Sequence, residues 1–275
     1  MPQESQSAIS TSSPAAFFAL TFVLATPFYV LNALAYLNLL GGPGMGPIYI
    51  ALFTVTPIAS ASLLTLRRCG MQGVKQLLCR VFDFQRIGDY RWYGAIVLLP
   101  LLLSLLSLGG AVLSGVRLPP AMVPFAAIPA LLPFFFVLAA VEEAGWMGHA
   151  FEPLQGRYGA LRAALVLGLV WAIWHVPFFI FMMPDVIVFS AQLVSLVSTR
   201  VLIAWAYNNA GQSVFATILL HAMFNVLLVT LPDTSTTGVL GPVISCALAL
   251  LTAVVVTLLW GPKTLARYQF SGSAE

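Results

Sequence analysis

The sequence predicts an all-α, polytopic membrane helical bundle of about eight transmembrane helices, on three observations. Of its 275 residues, 60% are hydrophobic and only 8% charged, whereas soluble domains carry about 25% charged residues. Mean hydropathy is +0.96, so the charges are too few to cover a water-facing surface. The apolar residues also form runs close to the ~20 residues a helix needs to cross the hydrocarbon core, divided by polar, Gly or Pro punctuation.

Taken in order, the runs fall at 15–38, 45–66, 91–115, 121–150, 160–182, 186–207, 212–231 and 239–261. Pro27, Pro57, Pro100, Pro129, Pro133 and Pro177 lie inside them, which neighbouring helices make tolerable in a membrane. Residues 1–14 are Ser-rich, with Glu4 as their one charge. They lack the basic start of a cleaved signal peptide and are read as a disordered tail. Residues 15–262 are expected to form one membrane domain, with a motif-bearing core at about 121–231 and a cytoplasmic tail at 263–275. The polar stretch 67–90 repeats Val74, Leu77, Leu78, Val81 and Phe82 at helical spacing, with Lys75 and Arg80 between them. That pattern predicts a short amphipathic helix lying in the interface.

Basic residues orient the bundle. Arg67, Arg68, Lys75, Arg80, Arg86, Arg91, Arg157, Arg162, Lys263 and Arg267 share one side if both termini are cytoplasmic. The expectation is therefore an integral protein of the cell membrane with both ends inside and lipids as immediate partners. No basic patch interleaved with aromatics points to nucleic acid. The three cysteines have no zinc-type spacing and are too few and odd in number for a disulfide framework. Nothing in the sequence sets the oligomeric state.

Ionisable residues within a span cost roughly 2.5–3.5 kcal/mol each on insertion scales and mark function by default. Here they are Glu142 and Glu143 in the fourth run, His175 in the fifth, Arg200 in the sixth and His221 in the seventh. Counted from the cytoplasmic side at ~1.5 Å per residue, all lie roughly 10–20 Å deep, so four helices place polar groups in one layer. His221 and Asn225 are spaced i, i+4 and share a helix face. Glu142 and Glu143 are about 100° apart around theirs, so one can face a cavity while the other braces a neighbour. Two carboxyls and two imidazoles suit hydrolysis: either can take a proton from water, and His and Asn can donate to an oxyanion. His and Glu also bind zinc, but H-E-x-x-H is absent and the groups are spread over three helices. A metal is disfavoured, and no cofactor is expected.

The segments EEAGWMGHAFEPLQ (142–155), GLVWAIWHVPFF (168–179) and YNNAGQSVFATILLHAMFN (207–225) together resemble the type II CAAX prenyl endopeptidase and bacteriocin-processing (CPBP) family of membrane peptidases. The shared pattern is Glu-Glu-x-x-x-Arg, an aromatic four residues before a His, and His-x-x-x-Asn. The resemblance implies a glutamate-dependent, metal-independent peptidase acting on a membrane-associated or lipidated (CAAX-like) protein or peptide. Glu142 and His175 would activate water, His221 and Asn225 would form the oxyanion site, and Glu143 would support them. Met147 stands at the motif's Arg position, i+4 from Glu143. Arg200, at similar depth, is expected to supply the missing cation from another helix. The departure keeps open an inactive member that acts in bacteriocin immunity or partner binding. A transporter reading would need inverted repeats, which the sequence lacks.

His149, outside the motifs and near the interface, is read as structural. Trp171 and Trp174 are read as packing groups walling a hydrophilic cavity open towards the cytoplasm.

Overall fold

The computed structural model describes residues 13–40 and 46–266, and all their regular structure is helical. The helices are α1 (Pro14–Tyr36), α2 (Gly46–Phe53), α3 (Thr56–Cys79), α4 (Arg91–Leu113), α5 (Ile128–Gly145), α6 (Glu152–Tyr158), α7 (Ala160–Met182), α8 (Val186–Asn209), α9 (Val214–Thr230) and α10 (Leu240–Trp260). A π-helical turn, Trp146–Phe151, joins α5 to α6 without a break. Among the described residues, six helices are long and apolar enough to cross a membrane: α1, α4, the run Phe125–Tyr158, α7, α8 and α10. Helix α9 is apolar but shorter.

The chain is thus a polytopic helical membrane protein, and seven of the eight expected runs correspond to helices. The second does not. Residues 45–66 were expected as one span, but α2 ends at Phe53 and a new helix starts at Thr56. Pro57 occupies the first turn of α3, where its missing N–H costs nothing. Helix α3 then runs through Arg67 and Arg68 and bends at Gly70, whose φ of +63° only glycine adopts without strain.

The expected short amphipathic helix is present beyond the bend at Gly70. Residues 71–79 are the distal part of α3, and a 3-10 turn, Arg80–Phe82, continues them. Leu77 and Val81 are buried in the bundle, while Leu78 and Phe82 are exposed. The segment therefore docks one face on the bundle and leaves the other exposed. The expected tail 1–14 and Arg267 lie largely or wholly outside the described residues.

Helix α8 is the innermost element. From Arg200 to Tyr207 every residue is buried, as a helix apolar on all sides requires. It packs along α7, α10 and α9, while α9 also packs along α5. Asp185 caps the start of α8 by accepting from the amides of Ile187 and Val188. The start of α9 is held by Ser213 Oγ, which accepts from Ala216 N–H, and by the Asp83 carboxylate, which accepts from Val214 and Phe215 N–H. These bonds satisfy amides that the helix itself leaves unpaired.

The loops around 80–90, 151–160, 209–214 and 261–266 meet at one end of the bundle. The carbonyls of Lys263 and Pro262 accept from Ala160 and Leu161 N–H and so cap α7. The Gln155 and Asn208 side chains exchange hydrogen bonds of 3.0 and 2.7 Å, and Asn208 also donates to Thr264 O. These contacts gather Arg80, Arg86, Arg157 and Lys263 on the shared end that the charge pattern predicted.

Candidate active site

Three helices meet at Glu143, its own α5 with α8 and α9. Its carboxylate is fully buried. Oε2 lies 2.6 Å from Arg200 Nη1 on α8, and Oε1 lies 2.9 Å from His221 Nδ1 on α9. Arg200 is therefore the cation that Met147 does not supply, as the depth argument anticipated. Met147 itself is fully buried in the π-helical turn.

The Arg200 guanidinium also sits 4.1 Å from the centroid of the Trp171 ring on α7, a favourable cation–π distance. Gly168, one turn earlier on α7, makes this approach possible. A Cβ there would stand 3.1 Å from both Val197 Cα and Arg200 Cβ.

Glu142 points elsewhere, as its angular offset from Glu143 requires. Its Oε2 accepts from Trp171 Nε1 at 2.9 Å. The backbone carbonyl of that same Trp171 accepts from His175 Nδ1, also at 2.9 Å. A carbonyl can only accept, so Nδ1 carries the proton and a neutral His175 presents its basic lone pair on Nε2. The His175 ring is clamped by Trp171 and Trp174 edge-on and by Phe179 in a stack. Trp171 thus touches Glu142, His175, His221 and Arg200.

The sequence-predicted residues divide as follows. Glu142, Glu143, His175 and His221 are brought into one connected cluster. Asn225 is half-buried, one turn from His221 on the same face of α9. His149 is buried away from the cluster, in keeping with a structural role: Thr65 Oγ1 lies 3.3 Å from its Nδ1, and Phe17 packs on its ring.

Two participants were missed. Trp171 was read as packing, although its place four residues before His175 was the visible signal. Arg80 reads in the sequence as an interfacial charge, but it is only partly exposed and heavily bonded. It donates to Gly148 O at 3.2 Å, Glu152 Oε1 at 2.9 Å, Tyr207 Oη at 2.7 Å and Gln212 O at 3.3 Å. Burial works against its charge, but Tyr207, Glu152 and Asp83 outweigh this and hold its pKa above the ordinary arginine value. The Tyr207 hydroxyl in turn donates to Glu152. This hub ties the π-helical turn, α6, α8 and the start of α9 together, one layer outward from Glu143. Among the described residues, no group of three or more His, Cys, Asp or Glu side chains is placed to hold a metal ion.

Comparison with known proteins meets this geometry. Residues 124–227 match the family model described as Type II CAAX prenyl endopeptidase Rce1-like. The chain is 31% identical to a protein named CAAX prenyl protease 2 from Methanococcus maripaludis, in an alignment covering 39% of this chain and 45% of that protein. The chain thus spans less than half the length of the relative it matches. The matched segment contains Glu142, Glu143, Trp171, His175, Arg200, His221 and Asn225, and over this segment the chain is similar to the Rce1-like type II CAAX prenyl endopeptidases.

Proposed function

We propose that the chain is a glutamate-dependent endopeptidase that hydrolyses peptide bonds of membrane-associated or lipidated, CAAX-like proteins. The observation that carries this reading is the division of the two adjacent glutamates. Glu143 is spent on Arg200 and His221, whereas Glu142 keeps one oxygen without a protein partner after bonding Trp171.

Glu142 Oε1 and the Nε2 of His175 are the groups left to take a proton from water as it attacks the scissile carbonyl. The carbonyl becomes a tetrahedral oxyanion. His221, whose Nδ1 is held by Glu143, and the Asn225 amide, one turn away, are the groups placed to donate to it. Collapse expels the amine, which takes the proton held by Glu142 or His175. No step passes through a metal ion or cofactor.

The protein would sit in the cell membrane with both termini cytoplasmic, so that loops 67–90 and 151–160 face the compartment where the basic residues concentrate. The test is a comparison of protein C-termini and N-termini in cells carrying the native chain and Glu142→Ala. Loss of specific cleaved termini in the variant, with the protein still membrane-inserted, and persistence of purified-enzyme cleavage in chelator support the reading. An unchanged cellular phenotype and unchanged termini would assign the fold to partner binding instead.

A further inference from the structure

Away from the Glu143 cluster, α7, α8 and α10 enclose a lateral groove of about 520 Å³. Its walls include Leu165, Leu169, Val194 and Val254, all exposed on helices that otherwise face hydrocarbon. The two hydroxyls on its lining, Ser198 and Thr257, both donate to carbonyls of their own helices, Val194 O and Ala253 O. The groove therefore offers no unsatisfied polar group and suits a hydrocarbon chain, not water.

Along α7 it extends from Leu161 to Ile173, which is ~18 Å of helix axis. That is close to the depth of one leaflet of a ~30 Å hydrocarbon core. One end is charged. Arg162 adjoins Leu161, and Lys263 is held beside it by the bonds from Ala160 and Leu161 N–H to the carbonyls of Lys263 and Pro262. Both side chains are exposed. Glu152, an acid on the helix just before α7, is already engaged by Arg80.

An apolar slot one leaflet deep, with two cations at its polar end, matches an anionic amphiphile. Basic pockets between spanning helices are the ordinary setting for such headgroups. We propose that this groove binds one anionic phospholipid, its acyl chain between α7, α8 and α10 and its phosphate between Arg162 and Lys263. The site does not depend on the peptidase reading. It does touch the same framework, because Val197 lines the groove and also packs on Gly168 opposite Arg200.

The test is native mass spectrometry of the detergent-purified full chain, titrated with phosphatidylglycerol or phosphatidylcholine. The expected result is one retained phosphatidylglycerol, bound at least tenfold more tightly than phosphatidylcholine. Arg162→Gln with Lys263→Gln lowers its affinity roughly thirtyfold, the effect of two surface charges, and each single variant gives an intermediate loss. Leu169→Trp with Val254→Trp fills the slot and lowers retention with the charges intact. Equal retention of both lipids would overturn the proposal, as would a preference unchanged in Arg162→Gln or Lys263→Gln. So would displacement by millimolar inorganic phosphate alone, or a dimer that the tryptophan pair dissociates, which would make the groove an interface between copies.

Discussion

Arg200 Nη1 lies 2.6 Å from Glu143 Oε2, and both side chains are fully buried on different helices. The pair joins α5 to α8 at the depth where α9 delivers His221, so three helices depend on one carboxylate. A buried pair adds little over a well-packed apolar substitute, but removing one partner strands the other and costs about 3–5 kcal/mol. Arg200→Met and Glu143→Gln are each expected to destabilise by that amount, and the double variant by less than the sum. Thermal unfolding of the four proteins in detergent checks it, and additive losses would mean that the contact is not coupled.

Trp171→Phe keeps an aromatic face beside Arg200, smaller than the indole, and deletes the N–H that reaches Glu142. A hydrogen bond to a charged group is worth about 1.5–3 kcal/mol, so peptide cleavage should fall about tenfold to a hundredfold in kcat while the fold remains. Steady-state kinetics against Trp171→Ala, which also removes the cation–π contact, separates the two effects.

Arg80→Lys is expected to destabilise despite keeping the charge. A single ammonium cannot span Gly148 O, Glu152, Tyr207 and Gln212 O from one position as the guanidinium does. The pH dependence has a definite sign. The folded-state pKa of Arg80 is raised, so its contribution is complete below the ordinary arginine value and is lost as pH rises from there through the folded one. Unfolding curves of the native protein and Arg80→Met should therefore keep a constant separation between pH 6 and 10, and a gap that closes within that window would contradict the hub.

Gly168→Leu forces atoms into the contact between α7 and Val197. Overpacking of this kind costs about 1–3 kcal/mol. Because the displaced backbone carries Arg200, the expected loss of cleavage exceeds that of Leu at Gly156, whose surroundings are open. Similar losses at both positions would show that the approach at Gly168 is unimportant to the site.

The bundle and the cluster were legible for different reasons. Long apolar runs can do little but span, so α1, α4, α7, α8 and α10 follow closely from composition. Counting depth from the basic side placed Glu143, Arg200 and His221 in one layer because straight helices convert residue number to height. What sequence could not give was the side-chain environment. Arg80 and the exposed Arg157 look alike as letters beside a span, yet one is enclosed by four elements. The break between Phe53 and Thr56 was hidden because Pro57 is compatible with both an interior kink and a helix start. Trp171 was underread because tryptophan near lipid is usually an anchor, and only its geometry shows the indole N–H aimed at Glu142.

The π-helical turn Trp146–Phe151 has a consequence for what evolution can alter here. A π turn holds one residue more than an α turn, which makes it in effect an insertion within a helix. Upstream of it stand the two glutamates, and downstream stands Glu152, held by Arg80. Deleting one residue between them lets the turn revert to an α turn with the phase on both sides kept, whereas inserting another would turn one set about 100° against the other. The segment from Glu143 to Glu152 is therefore one that a single-codon deletion can shorten in register but a single-codon insertion cannot lengthen.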